Sequence, residues 1–234
     1  MRVVAGIDGC PTGWLCVAKN MHTGTIQACI LERISAVLEL EPPPELVMVD
    51  MPIGLTDTGR RLCDQEARTY LKPTRASSVF SAPIRPMLSA TTYEEACQIG
   101  RTIDGRALSK QTWGIVPKIK EVDTFLRADT SRNQWIREVH PELCFRAWNK
   151  DRPMQHRKKS EEGKAERELL VNSAYSAGYA AAKSSLPRGK YNSDDLLDAF
   201  SALWTAERVV AGRQTLLPAT PPVDSFGLRM EIVA

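Results

Sequence analysis

The sequence predicts a single α/β domain built on a mixed sheet of five strands flanked by helices. Three observations predict it. Residues 3–7 and 46–49 are short apolar runs that read as buried strands, and they stop at Asp8 and Asp50, with turn-forming residues close behind. Two further strand-like runs lie between them. A long amphipathic helix near the C-terminus opens with more aspartates.

Residues 3–7 form the first strand, and Gly9-Cys10-Pro11-Thr12-Gly13 is a turn by composition. Trp14 to Lys19 and Thr25 to Leu31 read as strands joined by a tight turn near His22-Thr23-Gly24, so the first three strands make an antiparallel meander. Apolar residues at 34, 37, 38 and 40 fit a short helix, which Pro42-Pro43-Pro44 stops. Leu46-Val47-Met48-Val49 is the fourth strand. It is reached through a helix, so it should lie parallel to its neighbour in the sheet. From 57 to 135 prolines recur at 73, 83, 86 and 117, and helical pieces are expected to be short. This stretch is an insertion after the fourth strand, a candidate cap on the domain that spans 1–234. Arg137 to His140 reads as the fifth strand, followed by Pro141-Glu142. Residues 149–168 are rich in charge and read as an exposed loop leading into a helix. From Asp194 to about Val210, apolar residues at 196, 197, 200, 203, 204, 209 and 210 mark one helix face, with Asn192 or Ser193 as N-cap. The proline-rich tail after Gly212 is expected to be irregular.

Composition excludes several classes. At 43% hydrophobic and 25% charged residues, the 234-residue chain matches globular averages and not disorder. The net charge of +3 announces no polybasic tail. None of the six cysteines forms a CxxC pair, so reduced, buried thiols are expected. The apolar N-terminal run is too short for a signal peptide, and no stretch approaches the roughly 20 apolar residues that span a bilayer. A cytoplasmic protein without a membrane partner is the expectation.

The aspartates carry the chemistry. Ligands bind where α/β strands end, and two acids at corresponding ends plus a pair at a helix start suggest one site. Asp195 and Asp198, spaced i,i+3, share a helix face. Asp194 and Asp195 also suit the positive end of a helix dipole, which favours an acid there by about 0.3–1 kcal/mol. That explanation suffices for Asp194. Asp198 lies past the cap, among Leu196, Leu197, Ala199 and Phe200, and no basic residue follows until Arg208. A buried carboxylate needs a partner, and a metal ion is one. An oxygen donor set suits Mg²⁺ or Mn²⁺; the thiolates and imidazoles that zinc prefers are missing. Two such ions about 3.5–4 Å apart would serve phosphodiester hydrolysis.

Several segments resemble one family over nearly the whole chain. They are Gly6-Ile7-Asp8-Gly9-Cys10, Val49-Asp50-Met51-Pro52-Ile53-Gly54, Arg61-Leu62-Cys63-Asp64, Ser78-Val79-Phe80 with Pro83, His140-Pro141-Glu142 with Phe145, and Asp194-Asp195-Leu196-Leu197-Asp198-Ala199. The chain resembles the DUF429 family, predicted nucleases of the RNase H-like fold. The resemblance implies a metal-dependent nuclease with nucleic acid of unspecified type as partner. It implies that Asp8 bridges the ions, Asp50 completes one site, and Asp195 and Asp198 close the other. Glu142 is a further candidate catalytic acid, or simply a turn glutamate. His140 is a candidate to orient a ligand, or a packed side chain. Lys118 and Glu121 look like family positions whose default role is surface pairing.

Charge adds a modest argument. Residues 57–120 hold eleven Lys and Arg against six acids, and Arg157-Lys158-Lys159 adds more. Either set suits a phosphate-binding wall or a solvated basic face. Two other readings stay open. Gly6-Ile7-Asp8-Gly9 with Thr12-Gly13 is similar to the first phosphate loop of actin-like ATPases and sugar kinases, which would make the protein an ATP-binding phosphotransferase. Against this, a second glycine-rich motif and a GxxxxGK loop are missing. A non-catalytic module that binds nucleic acid or protein is the other. The oligomeric state is open, a homodimer included.

Overall fold

The computed structural model describes residues 2–234. In chain order its strands and α-helices are β1 (Val3–Cys10), β2 (Gly13–Asn20), β3 (Ile26–Leu31), β4 (Leu46–Val49), α1 (Leu62–Tyr70), α2 (Tyr93–Asp104), α3 (Lys110–Ala128), β5 (Ile136–Glu138), α4 (Pro141–Trp148), α5 (Glu161–Ser185), α6 (Ser193–Val210), β6 (Leu216–Leu217) and β7 (Ile232–Val233). The chain forms two compact units. One comprises Met1–Met51, Trp135–Thr215 and Val233–Ala234; the other comprises Pro52–Gln134 and Leu216–Ile232.

The first unit holds the five-stranded sheet, ordered β3-β2-β1-β4-β5. β2 runs antiparallel to β1 and to β3, while β4 and β5 run parallel to β1. This mixed order, with the first strand central, is the RNase H-like sheet. The strands β1 and β4 are apolar because both faces are covered: Val3, Val4, Ala5, Ile7 and Leu46 through Val49 are buried. Helix α6 lies against β1 through residues without bulk. Gly6 faces the α6 backbone, and Ala199, Ala202 and Ala206 are fully buried. Aromatic rings lock α4, α5 and α6 together. Trp148 stacks on Trp204 at 5.0 Å between centroids, and Tyr175 and Tyr179 each lie 5.4 Å from Phe200. Burial of a ring such as that of Phe200 contributes about 1.5–3 kcal/mol.

In the second unit, charged side chains replace much of the sheet's role as organiser. Arg61 and Asp64 form a buried pair at 2.5 Å, and Arg61 also donates to the carbonyl of Ile53. Asp224 accepts from the backbone N–H of Leu55, Phe226 and Leu228 and pairs with Arg85, which ties the C-terminal segment into this unit.

Four expectations need correction. β1 continues past Asp8 to Cys10, because Cys10 still pairs with Gly13, and the turn is only Pro11-Thr12. The predicted helix at 34–40 is a 3₁₀ helix, Ile34–Glu39. The segment 57–135 contains a 19-residue helix, α3, with Pro117 inside it. The proline removes one donor, yet Val116, Ile119, Val122, Phe125 and Leu126 bury an apolar face at helical spacing, and that packing overrides the breaker. Helix α5 starts at Glu161, inside the stretch read as loop, where Ser160 caps it by accepting from the Gly163 N–H. Among the described residues no helix is long and apolar enough to cross a membrane. All six cysteines are free thiols, and all but Cys29 are buried.

Candidate metal centre

Strand register places the first two acids. Ile7 pairs with Val49 in the parallel ladder, and the Asp50 N–H donates to the Ile7 carbonyl at 2.9 Å. Asp8 and Asp50 therefore emerge side by side. Asp8 lies two residues beyond Gly6, on the face that meets α6. Helix α6 begins at a capping box: Asn192 accepts from the backbone of Asp195, and the Asp195 carboxylate accepts from the Asn192 N–H at 2.7 Å. One turn on, Asp198 descends onto β1. Asp8, Asp50 and Asp198 each offer an oxygen within 4.8 Å of the others'.

Three carboxylates this close repel, and burial sharpens the repulsion. Asp8 is 7% exposed and Asp198 is 1% exposed. Burial, then the charges of Asp50 and Asp198, push the Asp8 carboxyl well above its ordinary value. Burial and Asp198 push Asp50 up to about 7, partly offset by the charge of Lys158 and by a hydrogen bond with Asp8. Burial also raises Asp198, against the pull of Lys158. The Lys158 ammonium donates to Asp198 Oδ2 at 3.0 Å and lies 3.9 Å from Asp194. Asp198, Asp50 and Asp8 in turn hold Lys158 in its charged form. The partner for Asp198 that α6 lacks thus comes from the loop before α5.

The other candidates divide. Asp195 is 8% exposed, caps α6, and lies close enough to raise Asp8, but it is not one of the three clustered acids. Glu142 is not a turn glutamate on the surface. It sits in the first turn of α4, 6% exposed, paired with Arg167 at 2.6 Å, and Arg167 is 2% exposed. His140 is the residue that precedes α4. Sequence reasoning missed Glu138, a buried acid whose charge raises Asp50. It also missed Arg167, whose charge lowers Asp198. A usable signal existed for Glu138, since a strand parallel to β4 carries it opposite Val49, next to Asp50.

The donor set fits a divalent cation. All three ligands are hard oxygens, and Asp198 Oδ1 is buried with no hydrogen-bond partner. An ion there would satisfy that atom and quench the repulsion. Lys158 holds the other oxygen, Oδ2, and its charge opposes the approach of a cation. Lys158→Ala is therefore expected to raise Mn²⁺ affinity by about tenfold, the factor that a competing contact of about 1.4 kcal/mol represents. Calorimetric titration measures this; unchanged or weaker binding would show that Lys158 does not compete.

An α/β protein of the RNase H-like order, with an acidic centre where β1, β4 and α6 meet, is the class that fold and site define. The family described as "Protein of unknown function (DUF429)" matches residues 6–223, and the chain belongs to it. No curated protein matches the sequence. Among solved structures, T. thermophilus RuvC in complex with Holliday junction substrate is similar at 15% identity, covering 91% of this chain and 98% of that one, with a TM-score of 0.32.

Proposed function

We propose that the protein is a divalent-metal-dependent nuclease that hydrolyses phosphodiester bonds. One observation carries this reading: three carboxylates from separate parts of the chain converge within 4.8 Å, and one of them keeps a buried oxygen without a partner. Asp8, Asp50 and Asp198 would hold the metal, with Asp195 at the margin of the set. Asp8 feels the charges of Asp50, Asp198 and, least, Asp195, so it would be the central carboxylate of the set that holds an ion. When bound, Mg²⁺ or Mn²⁺ supplies the positive charge that stabilises the attacking and leaving oxygens of a phosphodiester. The residues do the rest. Asp8 and Asp50, joined by a hydrogen bond, would be the carboxylates that give up a proton when an ion is held, and Arg167 beside Glu142 steadies the negative field around Asp198. Lys158, on Asp198 Oδ2 and 40% exposed, is a cation at the edge of the site that would suit a substrate phosphate.

The test is a Mn²⁺-dependent cleavage screen over single strands, duplexes and junctions of DNA and RNA, read beside thermal stability. Asp50 ionises near 7 in the folded protein and near its ordinary value of 3.8 unfolded. Between those values the folded state binds the extra proton, so this group's contribution to metal-free stability falls as pH rises toward 7. Mn²⁺ takes the proton's place, so its stabilising shift should grow from pH 5 to pH 8. Asp8→Asn should remove both the shift and the cleavage. No Mn²⁺-dependent product on any substrate, or product that survives Asp8→Asn, would sink the proposal.

A further inference from the structure

The second unit contains a cavity of about 410 Å³, within the range of small-ligand sites. Its floor is apolar: Val79, Ile84, Met87 and Leu108 are 3–5% exposed. Its walls are cationic. Arg60, Arg68 and Arg106 line it against a single acid, Asp104. Asp104 is already engaged, accepting from the Gly59 N–H at 2.8 Å and pairing with Arg106. Arg60 has no ion-pair partner among the described residues. Arg68 is held in place by two bonds, Nε to the Val79 carbonyl at 2.9 Å and Nη2 to Ser81 Oγ at 3.0 Å. A guanidinium has five N–H donors, so three remain for a ligand. On the lining sits Phe80, a large apolar ring that is 42% exposed.

An apolar floor, an open aromatic face and surplus guanidinium charge select a ligand that is flat and aromatic at one end and anionic at the other. A bare phosphate would leave the floor and Phe80 unused. A cation would be repelled. We propose that this cavity binds a nucleotide, with the base against Phe80 and the floor and the phosphate on Arg60 and Arg68. The inference does not rest on the metal centre. Arg68 and Ser81, already hydrogen-bonded to each other, hold the site ready, and Arg60 reaches the phosphate from the exposed side.

The experiment is ligand-observed NMR with the full chain in EDTA, so that no metal-bridged binding at the acidic centre contributes. The probes are adenosine monophosphate, adenosine, inorganic phosphate and a short single-stranded oligonucleotide. The monophosphate should bind, and adenosine and phosphate should each bind at least about tenfold more weakly. Arg60→Ala and Phe80→Ala, both at exposed positions that leave the core intact, should each weaken it by about tenfold. An oligonucleotide that displaces the monophosphate identifies the ligand as a unit of a strand; one that does not identifies a free nucleotide. No binding of either, or binding indifferent to both substitutions, overturns the proposal. A protein that binds nucleotide but cleaves nothing would fail the nuclease reading alone.

Discussion

Gly6→Ala is expected to unfold the first unit or leave it severely destabilised. A Cβ at this position would lie 2.2 Å from the Ala199 carbonyl oxygen, 2.2 Å from the Leu203 nitrogen and 2.8 Å from the Ala202 carbonyl carbon. All three are backbone atoms of α6, so no rotamer change relieves the clash. Either the helix withdraws or the central strand buckles. Overpacking a core usually costs about 1–3 kcal/mol, and backbone against backbone belongs at or above the top of that range. Any withdrawal also carries Asp198 away from Asp8. Denaturant unfolding and Mn²⁺ titration of the variant measure both effects. A variant with unaltered midpoint and unaltered Mn²⁺ binding would show that Gly6 does not set the spacing between β1 and α6.

Arg167→Met should be nearly as damaging, for an electrostatic reason. Arg167 and Glu142 have side chains 2% and 7% exposed and pair at 2.6 Å. Without the guanidinium, the carboxylate stays buried and uncompensated, since its Oε2 has no hydrogen-bond partner. Stranding one member of a buried pair costs about 3–5 kcal/mol, a melting-temperature fall on the order of 10 °C for a chain of this length. The double variant Glu142→Leu with Arg167→Met should recover most of the loss, because the pair is replaced by apolar volume. The double variant also decides what Glu142 does. Recovered stability with intact Mn²⁺-dependent cleavage assigns Glu142 to structure; recovered stability with cleavage lost assigns the Glu142–Arg167 pair to the site. A single variant as stable as the parent would refute the pairing argument.

Much of the fold was legible because its signals are local. Apolar runs mark β1 and β4, and the alternation before and after His22-Thr23-Gly24 marks β2 and β3 within a residue or two. The aspartates at 8, 50 and 198 could be named because each interrupts an apolar context, where an acid needs a reason. What stayed hidden is long-range. That Lys158 answers Asp198 depends on a loop 40 residues upstream folding over α6. Arg167 falls in the charge-rich stretch that reads as an exposed loop; it is buried on α5, where it pairs with Glu142 of α4. Helix α3 was obscured by Pro117, a local stop signal that a buried face outweighed. Asp195 shows the limit of spacing arguments. It shares a helix face with Asp198, yet its carboxylate turns back to the cap.

Lys158 gives the acidic centre a built-in counterion. A counterion tethered by the chain cannot be diluted away or exchanged for buffer salt, as a free one can. On the metal-dependent reading proposed above, the polypeptide should reach its native state in chelator, with the acids already gathered. Scarcity of divalent ions would then pause the proposed activity without becoming a folding defect.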